Sequence, residues 1–529
     1  MADKAKFQAI KGVRDILPPE SALWNYVEQT AREVFGTFGF VEIRLPIMEQ
    51  TDLFARSVGQ GTDIVSKEMY SFSDHTLRDL DGLRAQFLLQ DLMFWLGPRE
   101  MEEYFKALRS LLEAFDRGLK EESALGTEWN MASRERIGTL THQFEHAIES
   151  IGHAENRDLL DETREELKRQ VESLRVNVLT LRPEATASVV RAYIEHGMQV
   201  QPGNVKLYYM GPMFRRERPQ KGRYRQFYQI GAEVLGTSDA PGIDAEVIEM
   251  LMRLFERLKL KGAVLNINSI GDKNCRPAYV EQLRAELQKE REQLGADSQR
   301  RIETNPLRVL DSKLESEQGI IAKLPRIAEH LCADCRAHYD EVKRQLGLRG
   351  IAYQENWRLV RGLDYYMRST FEITAPGLGS QNAVCGGGRY DGLVGLLGGP
   401  ATTKGIGFAI GTDRLVLSLQ EAGEGGTTGG PAGKAVGPDV YLAWFGAAAQ
   451  SATIGLARRL RDAGFVVELP AVEMKFGKSL GLADRLKARH AVIVGDDELA
   501  AGVVTVKRLS DGTQQKLGEP ELFSYLQAF

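Results

Sequence analysis

The sequence of 529 residues lacks several features that would place it in a special class of proteins. It contains only four cysteines, too few and too scattered for a disulfide framework, which favours a reducing cytoplasm. It has no run of about 18 apolar residues, so no membrane-spanning helix is predicted. The N-terminal MADKAKFQAIKG has no apolar core, so no signal peptide is expected. The net charge is only −5, and a nucleic-acid partner would therefore need locally concentrated cations.

A stretch rich in glycine and proline divides the chain. Residues 421–438, EAGEGGTTGGPAGKAVGP, have no apolar periodicity, which predicts a flexible linker. After it, residues 439–529 alternate strand-like runs with helical stretches, which predicts a small α/β domain with a partly parallel sheet. Residues 1–74 and 177–420 predict an α+β domain on an antiparallel sheet, from the runs VEIRLPI, KLYYMGPMF, FYQIGAEVLG, LNINSI and STFEITA.

Residues 75–176 have a different pattern. Apolar residues recur at helical spacing in three stretches, and a fourth helix is expected from Thr76 to Leu96, ended by Gly97-Pro98. Four helices running up and down return the chain close to where it left, as an insertion requires. The segment carries 14 Lys+Arg and 21 Asp+Glu, a net of −7 that disfavours extensive contact with a nucleic-acid backbone. We interpret it as an all-α insertion that packs against the neighbouring domain or a partner protein.

A basic run lies between two predicted strands. Residues 211–225 read GPMFRRERPQKGRYR, with six cations against one anion, Glu217, from Arg215 onward. Pro219 and Gly222 indicate a loop, and a guanidinium suits bidentate binding of phosphate. A solvated surface loop is the alternative. Phe227, Gln229 and Glu233 follow at period-two spacing, which places all three side chains on one face of the next strand.

This run resembles motif 2 of the class II aminoacyl-tRNA synthetases, whose loop holds ATP and the acceptor end of tRNA. Residues 39–54, GFVEIRLPIMEQTDLF, resemble motif 1, in which Pro46 would end a strand at a dimer interface. Residues 405–415, GIGFAIGTDRL, resemble motif 3, in which Arg414 would stack beneath adenine and reach the γ-phosphate. The glycines of motif 3 allow a ligand to approach the backbone closely. The order of the three motifs supports the resemblance.

Three further segments resemble those of the histidyl-tRNA synthetases in particular. They are RGLDYYMRSTFE at 361–372, CGGGRYDGL at 385–393 and TLRPEATA at 180–187. The imidazole of histidine has one donor and one acceptor in its neutral form, so its pocket needs complementary polar groups. The resemblance implies a histidine-binding set, which is Glu184, Thr186, Gln229, Glu233, Arg361, Tyr366 and Tyr390. Glu184 and Thr186 suit the α-ammonium group.

The resemblance also implies the parts that bind ATP with Mg²⁺. The expected ATP-binding residues are Arg215, Glu217, Arg223 and Arg414. Arg361 is expected on the side of the α-phosphate opposite Arg215, where it takes the place of a metal ion, so these two arginines are the catalytic candidates. A surface ion pair between Arg361 and Asp364 is the alternative for this arginine.

The remaining expectations concern tRNA-His and assembly. In the motif 2 loop, Gln220 and Arg225 are candidates for contacting the acceptor end. A helical insert at about 275–345 is normal for the family, and residues 439–529 resemble its anticodon-binding domain. That domain has a basic helix region suited to phosphates or simply solvated, which contains Lys475, Lys478, Arg485 and Lys487. The family resemblance implies a cytoplasmic homodimer. A non-catalytic regulatory subunit of ATP phosphoribosyltransferase, which shares the catalytic fold, is the competing reading.

Two clusters of potential metal ligands are present in the sequence. Cys332, Cys335 and His338 recur one helical turn apart, but no fourth ligand is obvious. His142 and His146 form an i, i+4 pair inside the insertion, where exposed histidines are commoner than metal sites. Cys275 reads as an ordinary small residue. We therefore predict no metal site in the protein itself.

Overall fold

A computed structural model describes residues 7–59, 62, 64–73, 178–378, 382–422 and 437–528. The predicted insertion at 75–176, with His142 and His146, lies outside the described residues, as does most of the linker 421–438. The chain divides into two compact units. The first comprises Met1–Arg14, Val34–Arg253 and Gly262–Leu415, and the second comprises Asp15–Glu33, Leu254–Lys261 and Val416–Phe529.

The first unit is built on an eight-stranded sheet with the strand order β1-β5-β6-β11-β10-β9-β7-β8. Its inner strands, from β5 to β7, pair antiparallel, as the sequence predicts. A three-stranded sheet with the order β2-β4-β3 lies in the same unit. The strands are β1 Val41–Glu42, β2 Met48–Gln50, β3 Tyr70–Ser73, β4 Val178–Leu181, β5 Val205–Phe214, β6 Gln226–Gly236, β7 Val264–Ser269, β8 Gln354–Glu355, β9 Met367–Thr374, β10 Ala383–Arg389 and β11 Lys404–Gly411.

The run VEIRLPI does not form the antiparallel strand that its sequence suggests. Only Val41 and Glu42 pair, and they run parallel to β5. The buried Arg182 side chain explains where the ladder ends, because its Nη1 donates to the carbonyls of Leu45 at 2.9 Å and Pro46 at 3.1 Å. Pro46 has no N–H to offer a neighbouring strand. The expectation that Pro46 ends a strand is therefore wrong, since β1 ends four residues earlier.

Strands β3 and β4 lie on either side of the undescribed residues 74–177 in the sequence. They pair antiparallel, with Ser73 opposite Val178. The chain therefore leaves the small sheet and re-enters it at the same point. A segment inserted between these two strands leaves the rest of the sheet unchanged.

The described residues before the linker contain ten α-helices, four of which lie between β7 and β8 in the sequence. The α-helices are α1 Glu20–Thr37, α2 Thr51–Val58, α3 Thr186–Glu195, α4 Pro241–Arg257, α5 Arg276–Lys289, α6 Ala296–Thr304, α7 Glu315–Ile321, α8 Ala333–Leu348, α9 Leu393–Leu396 and α10 Thr412–Glu421. Shorter turns are π-helical at Ile64–Glu68 and 3₁₀ at Met198–Val200, Arg291–Gln293, Pro306–Asp311 and Ile327–Glu329. The helices from α5 to α7 share a buried apolar cluster with Tyr366, which joins the helical insert to the segment before β9.

The second unit contains a five-stranded sheet with the order β13-β12-β14-β15-β16. Strand β12 pairs parallel with β13 and β14, and β15 pairs antiparallel with β14 and β16, as expected for a partly parallel sheet. Its strands are β12 Val440–Trp444, β13 Val467–Glu468, β14 His490–Val494, β15 Val504–Arg508 and β16 Gln514–Leu517. The helices after the linker are α11 Ala447–Asp462, α12 Phe476–Arg485, α13 Asp496–Ala501 and α14 Glu519–Gln527. No helix in the described ranges combines the length and apolar character needed to cross a bilayer.

Candidate active site

A buried carboxyl group lies at the centre of the candidate site. Glu233 projects from β6 and is 1% exposed. Its Oε1 accepts a hydrogen bond from the Thr186 hydroxyl at 2.8 Å, and its Oε2 accepts one from the Tyr390 hydroxyl at 2.6 Å. Burial raises the pKa of Glu233 to about 8, although both hydrogen bonds oppose the rise. A polar pocket of this kind can recognise a donor group of a ligand.

A glycine makes room for this carboxyl group. Gly407 lies opposite Glu233 on β11. A Cβ at residue 407 would be 1.6 Å from Glu233 Oε2, so any larger residue would displace the carboxyl group. Gly407, one of the glycines of motif 3, is therefore required because Glu233 occupies the space that a side chain would fill.

Glu184 supports the start of α3. Its two carboxylate oxygens accept the backbone N–H groups of Thr186 at 2.7 Å and Ala187 at 3.0 Å. These are amides at the first turn of a helix, which lack partners within the helix. Burial raises the pKa of Glu184, and the backbone hydrogen bonds and the charge of Arg215 partly oppose the rise. Glu184 thus fixes the position of Thr186 beside Glu233.

Aromatic rings form a wall of the pocket. The ring of Tyr365 lies 4.7 Å from that of Tyr366 and 5.8 Å from that of Tyr390. Burial raises the pKa of Tyr366 to about 12, although the Arg361 cation opposes the rise. Two buried polar atoms, the Tyr209 hydroxyl and Gln229 Oε1, have no hydrogen-bond partner among the described residues. They are available to a polar ligand.

Arg361 lies between this pocket and the glycines of β10. Its Nη1 donates to Glu372 Oε2 at 2.8 Å, and its side chain is 24% exposed. The guanidinium lies against the backbone of Gly386, where a Cβ would be 2.1 Å from Nη2. The alternative surface pair with Asp364 is wrong, because the Asp364 carboxylate instead accepts a hydrogen bond from Asn305 at 3.0 Å.

Two further arginines converge near the motif 2 loop. Arg215 donates through Nε to the Pro183 carbonyl at 2.9 Å, and its guanidinium lies 5.2 Å from the centre of the Phe227 ring. Arg414 donates through Nη1 to the Ala383 carbonyl at 2.9 Å. Burial lowers the pKa of Arg414, and the nearby cation of Arg223 lowers it further. Mutual repulsion among these cations favours the binding of an anion.

Glu217 and the tip of the loop complete this region. Glu217 forms an ion pair with Arg223 at 3.2 Å and lies 3.9 Å from Arg215. Gln220 is exposed, and its backbone exchanges two hydrogen bonds with that of Arg223 at 3.1 and 2.9 Å. Arg225 instead points at backbone carbonyls, donating to Glu217 at 3.4 Å and Lys11 at 3.3 Å.

The N-terminal segment also packs against the loop, which the sequence reading missed. The Arg225 amide donates to the Gly12 carbonyl at 2.7 Å, and a Cβ at Gly12 would be 2.8 Å from the Arg225 side chain. Arg14 forms an ion pair with Asp413 at 3.1 Å and lies 5.0 Å from the centre of the Tyr224 ring. Contacts this distant in sequence leave no local pattern. Tyr209 was also missed, although its place in the alternation of β5 could have indicated it.

Cys332, Cys335 and His338, which the sequence suggested as potential metal ligands, do not all come together. His338 Nε2 lies 3.1 Å from the Asp239 carbonyl and 3.7 Å from Asp244, so this ring does not join the cysteines. Asp244 also binds the fully buried Arg389. Cys332 and Cys335 instead approach Cys275 and Asp272. The basic candidates of the second unit are all exposed, namely Lys475, Lys478, Arg485 and Lys487.

Comparisons with known proteins identify the chain's relatives. A family model described as Histidyl-tRNA synthetase matches residues 148–415, and one described as Anticodon binding domain matches residues 439–529. A histidine–tRNA ligase of Solibacter usitatus is 43% identical over 521 residues, covering 98% of this chain and 99% of that protein. A histidine–tRNA ligase of Koribacter versatilis is 42% identical over 526 residues, covering 98% and 96%.

Solved structures agree with this relationship. The apo histidyl-tRNA synthetase of S. aureus superposes with a TM-score of 0.66 at 29% identity, covering 98% of this chain and 100% of that one. A Bacillus halodurans protein described as an ATP phosphoribosyltransferase regulatory subunit/histidyl-tRNA synthetase superposes with a TM-score of 0.54 at 16% identity, covering 93% and 99%, which shows a shared fold alone. The predicted fold class is confirmed, with an antiparallel catalytic sheet and a C-terminal anticodon-binding domain. The chain belongs to the histidyl-tRNA synthetase family.

Proposed function

We propose that the chain is a histidine–tRNA ligase that acts in two steps. It activates L-histidine with ATP to histidyl-adenylate and pyrophosphate, and then transfers histidine to the 3′ end of tRNA-His. Relatives named histidine–tRNA ligase, which align over nearly the whole chain, support this activity. The observation that carries the proposal is a buried carboxyl–hydroxyl pocket around Glu233, lying beside the cation-rich region of Arg361 and Arg215.

The pocket suits the histidine side chain and α-ammonium. Glu233 accepts a hydrogen bond from an N–H of the imidazole. The hydroxyl groups of Tyr366 and Tyr390 can rotate to donate a hydrogen bond to the other imidazole nitrogen or to accept one from it. Gln229 Oε1 has a free acceptor position for a donor of the substrate. Glu184 and Thr186 bind the α-ammonium. A pocket that recognises a substrate through buried hydrogen bonds rejects apolar amino acids by about 10⁴-fold.

The arginines support the activation step. An oxygen of the histidine carboxylate forms a bond to the α-phosphorus of ATP, and the bond from that phosphorus to the bridging oxygen of pyrophosphate breaks. Two anions must approach each other, so positioning and charge neutralisation dominate the barrier. Arg361 and Arg215 neutralise the α-phosphate from opposite sides, while Arg414 and Arg223 hold the adenine and the outer phosphates.

The carboxylates near Arg414 fit the Mg²⁺ that accompanies ATP. Magnesium prefers carboxylate oxygens together with waters and substrate phosphates. Glu217 and Glu372 both act electrostatically on the half-buried Arg414, so both carboxylates are close to the proposed phosphate site. These two residues would hold Mg²⁺, which supplies charge neutralisation when bound.

The second step involves both units of the chain. A terminal ribose hydroxyl of tRNA attacks the carbonyl carbon of histidyl-adenylate, and AMP leaves. Gln220 is exposed at the tip of the motif 2 loop, where it can contact the acceptor end. Arg225 is bound to backbone carbonyls, so we assign it to shaping the loop as well as to this contact. The exposed cations of α12 and its flanks bind tRNA phosphates, and the protein works as a cytoplasmic homodimer.

The decisive experiment is histidine-dependent exchange of pyrophosphate into ATP by the full-length protein. Exchange with histidine alone among the amino acids supports the ligase. No exchange by a folded protein would refute it and favour the regulatory-subunit reading. Aminoacylation then tests the tRNA contacts. The double variant Lys478→Ala/Arg485→Ala should slow aminoacylation and leave exchange unchanged, whereas Arg458→Ala, an exposed arginine on α11, should change neither.

A further inference from the structure

Three thiols and a carboxylate converge at the base of the helical insert, outside the proposed active site. They belong to Asp272 and Cys275, which follow β7, and to Cys332 and Cys335, which lie at the start of α8. One carboxylate oxygen and three sulfur atoms all lie within 4.8 Å of one another. All four cysteines of the chain are free thiols. The two pairs have the same spacing, D-x-x-C for Asp272 and Cys275 and C-x-x-C for Cys332 and Cys335. Cys332 follows Cys275 by 57 residues.

The separations match a tetrahedral metal centre. With zinc–sulfur bonds of about 2.3 Å, neighbouring ligand atoms of a tetrahedral site lie roughly 3.5–3.8 Å apart. The four atoms therefore need to approach one another by at most about 1 Å. Three of the residues are buried and Cys332 is half-buried, so the cluster is largely shielded from water.

The backbone is shaped to bring the sulfur atoms inward. Gly271 has φ +65°, and a Cβ there would be 2.7 Å from Cys275 Sγ, so only glycine admits this sulfur. The Asp272 amide points at the same sulfur at 3.4 Å. Cys275 and Cys332 each immediately precede a long helix, α5 and α8. Helix N-termini stabilise thiolates, which are the form of cysteine that binds metals.

Nearby cations match the charge of such a centre. Three thiolates and one carboxylate around a divalent ion carry a net charge of −2. Arg276 is close enough to Asp272, Cys275 and Cys335 for their charges to act on it. Arg368 interacts with Cys335 and lies 4.0 Å from Asp272. These two half-buried guanidinium groups would be attracted more strongly by a thiolate cluster than by neutral thiols.

We propose that Asp272, Cys275, Cys332 and Cys335 bind one structural Zn²⁺. Sulfur ligands select thiophilic metals, and four protein ligands leave no open position for catalysis. The metal joins the entry of the helical insert to its exit, so it closes a loop of about 60 residues. His338 takes no part, because its ring faces Asp239 and Asp244.

The site also has a connection to the histidine pocket. Arg276, adjacent to Cys275, donates through Nη1 to the Tyr366 carbonyl at 2.6 Å. The Arg368 amide donates to the Gly271 carbonyl at 2.7 Å. Fixing Gly271 and Arg276 therefore fixes the backbone of the segment that carries Tyr366. Loss of the metal should raise the KM for histidine more than it lowers kcat.

The test is the metal content of the full-length protein after purification without chelators. We expect about one zinc per chain in the unaltered protein and in Cys385→Ala, which changes the cysteine outside the cluster. Cys335→Ser and Cys275→Ser should each lose most of it. Because these substitutions also alter buried packing, the unaltered protein is also stripped and reloaded with Co²⁺. Sulfur-to-cobalt charge-transfer absorption at one equivalent supports the site.

Two results would overturn the proposal. One is a protein that contains no zinc and shows no sulfur-to-cobalt absorption when Co²⁺ is added, although all four thiols react under denaturing conditions. The other is the loss of two of those thiols to a Cys332–Cys335 disulfide in the freshly purified protein. Neither result bears on pyrophosphate exchange, so the zinc site and the ligase activity can fail independently.

Discussion

Replacing Glu233 with glutamine should alter how the stability of the protein depends on pH. Burial raises the pKa of this carboxyl group from 4.5 to about 8, a difference of about 3.5 units. At about 1.4 kcal/mol per unit, the ionised carboxylate costs the folded state roughly 5 kcal/mol relative to the unfolded chain. The cost arises because the hydrogen bonds from Thr186 and Tyr390 do not replace the lost hydration.

The sign of the effect follows from proton binding. Between pH 4.5 and 8 the folded protein holds a proton on Glu233 that the unfolded chain releases. The contribution of this group to the free energy of unfolding therefore falls as pH rises, by about 1.4 kcal/mol per pH unit, and levels off above pH 8. The Glu233→Gln variant has nothing to titrate at this position.

The assay is urea unfolding of both proteins at steps from pH 5 to 9 without histidine. The shifted histidines His338 and His490 titrate alike in both proteins, so the difference between the two free energies of unfolding reports Glu233 together with the neighbouring Glu184. That difference should decline steadily from pH 5 to about pH 8. A constant difference across this range would refute the reasoning and would place the carboxyl group in a hydrated environment.

Four further changes test other parts of the site. Arg361→Ala should slow pyrophosphate exchange about 10²–10³-fold through loss of an electrostatic contact, and normal exchange would exclude the catalytic role. Gly386→Ala should act similarly in the same assay because its Cβ displaces that guanidinium, whereas Gly347→Ala on α8, where a Cβ meets nothing within 4 Å, should keep full activity. Tyr209→Phe should leave the unfolding free energy within about 0.5 kcal/mol and raise the KM for histidine, and an unchanged KM would remove Tyr209 from the pocket. Asp244→Ala should lower the urea-measured unfolding free energy by about 3 kcal/mol, since it leaves the buried Arg389 with one carboxylate fewer; a loss under 1 kcal/mol would contradict this.

Local patterns in the sequence predicted the strands around the basic loop well. Phe214 ends β5 and Phe227 lies at the start of β6, so the apolar residues on either side of the charged run correctly located the loop. Period-two spacing likewise placed Gln229 and Glu233 on one strand face. These features depend on neighbours in the sequence, which a pattern can reveal.

Long-range contacts explain the errors. A side chain six positions along a helix is rotated by about 240° from the first, so Cys332 and His338 face different surroundings. The true neighbours of Cys332 include Asp272, 60 residues earlier. The partner of Arg361, Glu372, was also missed, because the only carboxylate that the sequence suggested as an alternative partner was the nearby Asp364. Only the fold decides which of two carboxylates an arginine meets.

The contact between the N-terminal segment and the motif 2 loop has a consequence for biosynthesis. Residues 11–14 leave the ribosome early, but Arg225 follows Lys11 by 214 residues and Asp413 follows Arg14 by 399. The contact between Arg14 and Asp413 can therefore form only after most of the chain has been translated. Because Asp413 lies so close to the end of the first unit, the N-terminal segment completes its contacts only after almost all of that unit has been synthesised. A ribosome stalled before residue 413 would hold a chain in which Arg14 has not yet met Asp413.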